Sequence, residues 1–288
     1  MSNTVVRTNV LALNSHRNLG LVSNMQARSS ERLSSGFRIN RAADDAAGLA
    51  ISEGMRAQIR GMAQASRNTQ DGISLVQTAE GFTNTIQEIT QRVRELATQG
   101  ANDTNDATQR GHINTELTQL RDEITRIHGE ATFNGNVIFT DLLTGSFNLQ
   151  IGPDGNRGSF DLAAAAGASA FNTAVTSATA AITTLIAADM STGAHSAFRT
   201  LLQAMDTFNS AIGTFRANLG AIQNRLEFTI ENLDIARENL SASESRIRDA
   251  DMALEMMRLT QANVLQQAAT AMLAQGNQAP QSVLQLLG

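Results

Sequence analysis

The sequence predicts a mainly α-helical fold, an elongated antiparallel bundle of long helices packed as a coiled coil, with a small β-hairpin region and the two terminal helices paired. Three observations predict it. Apolar residues recur at alternating steps of three and four over tens of residues, the spacing that keeps one helical face against a neighbour. The longest periodic segments contain neither of the two prolines in the 288-residue chain. Asn-Gly and Asp-Gly turn signals stand between short alternating runs in one central stretch, residues 133–162.

From the N-terminus, Val6, Val10 and Leu13, then Leu19, Val22, Met25 and Leu33, fit helical faces that "LSSGFRINRAADDAAG" interrupts. Residues 1–43 are therefore expected to form a helix and a linker. Residues 44–162 form the first part of a rod. Within it, Met55, Ile59, Met62, Thr69, Ile73 and Val76, with a shifted stripe at Leu75, Ala79, Phe82, Ile86, Ile89, Val93 and Leu96, give one long helix with a seam wide enough for two neighbours. The loop "GANDTNDATQRG" breaks that helix, and its Asn and Asp residues cap the next one. A return helix then carries Ile113, Leu117, Leu120, Ile124 and Ile127. Short alternating runs, Phe147, Leu149, Ile151 and then Phe160, Leu162, flank the turn signals and predict hairpins.

Residues 163–196 are rich in Ala, Thr and Ser and read equally as helix or loop. The clearest seam follows, at Leu201, Met205, Phe208, Ile212, Phe215, Leu219, Ile222 and Leu226, and continues more weakly to Ile247. It predicts one helix over residues 197–247, roughly 75 Å long at 1.5 Å per residue, which needs other helices alongside it. Residues 248–288 are amphipathic again. Leu254, Met257, Val264, Leu265, Met272 and Leu273 precede Pro280, and Leu284, Leu286 and Leu287 keep the end apolar. Two paired helices bury only one stripe each, so this terminal pair is expected to be completed by other copies of the chain.

Composition narrows the function classes. A net charge of -5, with basic residues that are all Arg and interleaved with acids as in "RIRDAD", argues against nucleic-acid binding. With no Cys there are neither disulfides nor thiolate metal sites. His16, His112, His128 and His195 have no spacing suited to a metal, and "HINTE" is not a zinc-protease motif. No enzyme activity, cofactor or metal is expected. No stretch approaches the roughly 20 apolar residues of a membrane span, and the first residues lack a secretory signal's basic start and apolar run.

Several long blocks carry a family resemblance. "ERLSSGFRINRAADDAAGLAISEGMRAQIRGMAQASRNTQDGISLVQTAEG", "QRVRELATQGANDT", "ATFNG" and "SRIRDADMALEMMRLTQANVLQQAATAMLAQGNQAPQSVLQLLG" resemble bacterial flagellin, co-linearly over residues 1–162 and 197–288. The central segment, where flagellins differ most, is short. The resemblance implies a filament subunit for swimming motility, whose terminal helices line an inner tube. It also implies export as an unfolded chain by the flagellar type III apparatus, without a cleaved signal, to an extracellular filament. Implied partners are many copies of itself, an export chaperone, the cap protein and the hook-filament junction protein. "QRVRELATQ" further resembles the segment that animal toll-like innate receptors recognise, making Arg92, Leu96 and Glu116 contact positions. Gly100 and Asp103 depart from the pattern of many recognised flagellins, which have Ser there.

Overall fold

The computed structural model describes residues 9–140, 147–155, 157–188 and 194–287, with C-terminal side chains as far as Gln278. Its helices are α1 (Val10–Ser35), α2 (Ala46–Gly100), α3 (Ala107–Glu130), α4 (Leu162–Ala166), α5 (Ala168–Ala187), α6 (Ala194–Arg248) and α7 (Met252–Leu287). Two antiparallel strand pairs accompany them, β1 (Thr132–Phe133) with β2 (Asn136–Val137) and β3 (Asn148–Asp154) with β4 (Arg157–Asp161). The chain forms two compact units, one of the described residues up to Ala57 and from Asn239 onward, the other Gln58–Glu238. Both boundaries fall inside long helices, α2 and α6. The expected divisions fall at 43/44, between α1 and α2, and at 247/248, in the last turn of α6.

The Gln58–Glu238 unit is built on the strongest periodicity in the sequence. All eight seam residues from Leu201 to Leu226 are at most 4% exposed. From α2 they meet Leu75, Val76, Ala79, Ile86, Val93 and Leu96, and from α3 Ile113, Leu117, Ile124 and Ile127. The loop before α3 caps it as its composition suggests. The Asp106 side chain accepts the Gln109 N–H at 2.7 Å while the Gln109 side chain accepts the Asp106 N–H at 3.1 Å. Asn134 and Gly135, with φ of 50° and 83°, make the β1–β2 turn.

The ambiguous segment resolves as helix. In α5, Phe171, Val175, Ala178, Ile182 and Leu185 are buried at steps of four, three, four and three. Its capping comes from Gly167 at φ 64°, the αL residue that also ends α4. By length and composition this 20-residue helix is apolar enough to cross a membrane, contrary to the expectation that no segment is. Its buried face is part of the core of this unit, and its Thr residues return hydrogen bonds to the preceding turn. Phe171 and Phe215 stack with centroids 4.4 Å apart, and Phe139 and Phe208 extend the cluster.

His128 stacks on Phe139 at 5.6 Å, and its Nε2 is buried without a hydrogen-bond partner among the described residues. Burial holds its pKa below the usual imidazole value, against the opposing hydrogen bond with Asn172. A depressed histidine pKa means the unfolded chain binds the proton more readily. Its contribution is therefore complete above about pH 6.5 and declines as pH falls below that value. Thermal midpoints of the wild type are expected to fall between pH 7.5 and 5 more steeply than those of His128→Phe. Parallel profiles would refute this.

In the other unit, α1 is capped at both ends. Asn9 Oδ1 accepts the Ala12 N–H at 3.0 Å, and Gly36 takes φ 75° to close the C-terminus. The chain beyond each long terminal helix then pairs with the other. Arg38 N–H donates to the Arg248 carbonyl at 2.6 Å, and Ala250 N–H to that of Gly36 at 2.9 Å. Arg248 lies 4.7 Å over the Phe37 ring and pairs with Glu53 at 2.7 Å. Asp44 accepts the Asn40 and Arg41 N–H groups, which lower its pKa. These contacts account for the interruption read in "LSSGFRINRAADDAAG". Helix α7 runs on through Pro280 to Leu287.

Candidate assembly interface

Helices α1 and α7 lie antiparallel, tied by Asn9 Nδ2 to the Gly276 carbonyl at 2.7 Å near one end and by Ser29 to Glu255 near the other. The covered positions alternate by three and four: Ala12, Ser15, Leu19, Val22, Gln26, Ser29 and Leu33 on α1, and Glu255, Leu259, Ala262, Gln266, Ala269, Leu273 and Gly276 on α7. This is a coiled-coil seam made largely of small and polar residues. The helices are close at Gly276, where a Cβ would stand in ordinary contact, 3.7 Å from the Ala12 backbone nitrogen. Gln26 Nε2 adds a hydrogen bond to Asn263 Oδ1 at 2.8 Å.

The seam contains one buried charge. Glu255, 4% exposed, accepts the Ser29 hydroxyl at 2.7 Å, while Arg258 and Arg32 approach its other oxygen at 3.1 and 3.8 Å. A carboxylate taken out of water in this way is tolerated only with such partners, and it penalises any slippage of one helix along the other.

The larger apolar side chains lie mostly outside the seam. Val10, Leu13, Val264 and Met272 are between 52% and 62% exposed, and Leu265 is also exposed. Val22, Leu33 and Leu273 are half-buried within it. Val6 lies outside the described residues, as do the side chains of Leu284, Leu286 and Leu287. Leu11, Leu21, Met25, Met252, Leu254, Met256 and Met257 extend the exposed set. The sequence marked the apolar residues of both helices without deciding which face the pair and which face other copies. Leu19, Val22, Leu33 and Leu273 of the seam were among them, but its Ala, Ser, Gln and Gly positions carry little periodic signal.

Elsewhere, Arg92 on α2 donates through Nε and Nη2 to Glu116 Oε1 on α3, at 2.9 and 2.8 Å, and also meets Glu95 at 3.2 Å. These carboxylates raise the Arg92 pKa, Glu116 foremost. The pair borders a hollow of about 510 Å³ with Gln99, Asn105 and His112. Leu96 lines it too, but at 3% exposure it belongs to the core. Among the described residues, no three His, Asp or Glu side chains converge on a metal site.

Comparison with known proteins bears on what these surfaces serve. The bacterial flagellin N-terminal helical region matches residues 6–144, and the bacterial flagellin C-terminal helical region matches residues 202–287. Over 289 aligned residues the chain is 49% identical to the flagellin of Halalkalibacterium halodurans, covering 98% of this chain and 99% of the relative. The chain belongs to the bacterial flagellin family. It is a structural subunit of the flagellar filament and not an enzyme. It is likewise 42% identical to the flagellar filament 33 kDa core protein of Treponema phagedenis, covering 98% of this chain and 99% of that flagellin. Among solved structures, a Bacillus cereus flagellin matches at 31% identity and a TM-score of 0.47, covering 58% of this chain and 88% of the other. Between the two matched regions this flagellin has only residues 145–201, which hold β3, β4, α4 and α5.

Proposed function

We propose that the exposed apolar faces of α1 and α7 are where copies of this flagellin join to lengthen the filament. Contacts that repeat head-to-tail without closing a ring produce an open helical assembly. The observation that carries this reading is the run of large apolar side chains left in solvent along both helices, a far larger apolar surface than scattered exposed residues make. Val10, Leu13, Val264, Leu265 and Met272 are members of it, Val22, Leu33 and Leu273 sit half-buried in the seam beside it, and Val6, Leu284, Leu286 and Leu287, named from the sequence for the same role, lie outside the described side chains. Family membership supports the same route for this chain as for other flagellins: an export chaperone, the type III apparatus, then addition beneath the cap beyond the hook-filament junction protein. The absence of Cys suits passage as an unfolded chain. Electron microscopy of the purified chain, seeded with sheared filament fragments, tests the assembly reading. Long filaments of uniform diameter are expected, and persistent monomers would overturn it.

A second reading concerns the Arg92–Glu116 pair, half-exposed at the rim of its hollow. We infer that an animal toll-like receptor would contact these two side chains, with Leu96 supporting them from the core. In a receptor reporter assay, Arg92→Ala is expected to weaken activation about tenfold, because it removes the charged fork of donors that the receptor would meet. Unchanged activation would remove this reading and leave the assembly reading intact.

A further inference from the structure

We propose that Met256 and Met257 form a sulfoxidation site that decides whether a free subunit can join the filament. The proposal rests on the assembly reading above. Among the described residues five methionines are exposed, Met25, Met252, Met256, Met257 and Met272, at 48–63%, and all five are on α1 or α7. Met205, in the core of the other unit, is fully buried. Thioether sulfur reacts with hydroperoxides in proportion to its access, so in the free subunit oxidation is directed to the terminal pair. Met256 and Met257 are adjacent, and with Val264 and Leu265 they line an open apolar hollow of about 540 Å³.

The chemistry needs only a hydroperoxide. A sulfur lone pair attacks one oxygen of hydrogen peroxide, the S–O bond forms, and the O–O bond breaks. The second oxygen leaves as water after taking up the transferred proton, and sulfur is oxidised by two electrons. The product is a polar sulfoxide on a face that assembly has to strip of water. An acceptor so buried requires a donor, and two of the three nearby are engaged, which leaves the Gln261 amide at the same hollow for two sulfoxides. The Thr260 hydroxyl donates to the Met256 carbonyl at 2.9 Å, and Arg258 is paired with Glu255. An assembled subunit has the same sulfurs covered and is spared.

The test compares seeded elongation of the full chain before and after dilute hydrogen peroxide, with mass spectrometry locating each added oxygen. Oxidation is expected first at the five exposed methionines, Met257 foremost, and last at Met205. Elongation should slow at least about tenfold, a change of roughly 1.4 kcal/mol. Treatment with methionine sulfoxide reductases and a dithiol, which leaves as disulfide while the oxygen departs as water, should restore it. A Met256→Leu, Met257→Leu double variant should show nearly the same rate before and after peroxide, whatever its starting rate. Filaments treated after assembly should keep both sulfurs unoxidised. Unchanged elongation of a chain carrying both sulfoxides would overturn the sulfoxidation site alone. Failure of the untreated chain to elongate would overturn the assembly reading and this inference with it.

Discussion

A chain ending at Asp251 is expected to stay folded and helical but to add no length to seeded filaments. Removing α7 leaves Ser29, Val22 and Leu33 without their seam partners and deletes Met256, Met257, Val264 and Met272 from the exposed face. A lone 26-residue α1 without a packed face is marginal in water. The Gln58–Glu238 unit loses nothing, because its core from Leu75 to Leu226 lies wholly within it. Circular dichroism should therefore show a cooperative thermal transition close to that of the full chain, with helix reduced by the missing segment and by the unpaired α1. Electron microscopy should show seeds that do not grow. Filaments of ordinary length from the truncated chain would refute the assignment of assembly to α1 and α7.

The substitution Phe215→Ala is expected to destabilise the Gln58–Glu238 unit by about 3–5 kcal/mol. Phe215 is 2% exposed, stacks on Phe171 at 4.4 Å and meets Phe139 at 6.4 Å. Truncation opens a cavity among rings contributed by α5, α6 and the segment after β2, which cannot all shift to fill it. Denaturant melts of the two proteins measure the loss. Phe215→Leu, which retains most of the volume, should cost markedly less. Equal losses for Ala and Leu would mean that ring stacking, not cavity formation, governs the site.

These two expectations draw on different parts of the sequence. The core around Phe215 was legible because large apolar residues repeat without interruption from Leu201 to Leu226, and a seam of that kind has one way to be buried. The capped return helix was legible for a similar local reason, since Asp106 and Gln109 satisfy each other across one turn. Helix α5 was not. Its seam from Phe171 to Leu185 is in register, but the Ala, Thr and Ser around it suit helix and loop almost equally, and only contact with the other helices of its unit decides between them. Arg92 and Glu116 were named from a resemblance, yet Leu96 lies beneath them because the α2 stripe that buries it also passes through that position.

The terminal pair shows the division most clearly. Sequence alone determined that both ends are amphipathic helices, that they pair, and which apolar residues they carry, because helical period and family likeness are written locally along the chain. Which face each helix turns inward was decided only by tertiary structure. Ala12, Ser29, Ala262 and Gly276 are small enough to bring two backbones together, and the buried Glu255 finds its partner Ser29 across 226 residues of sequence. With those positions turned inward, helical period puts Leu13, Met257, Val264 and Met272 off the seam, and they remain as the exposed apolar surface to which assembly is assigned above.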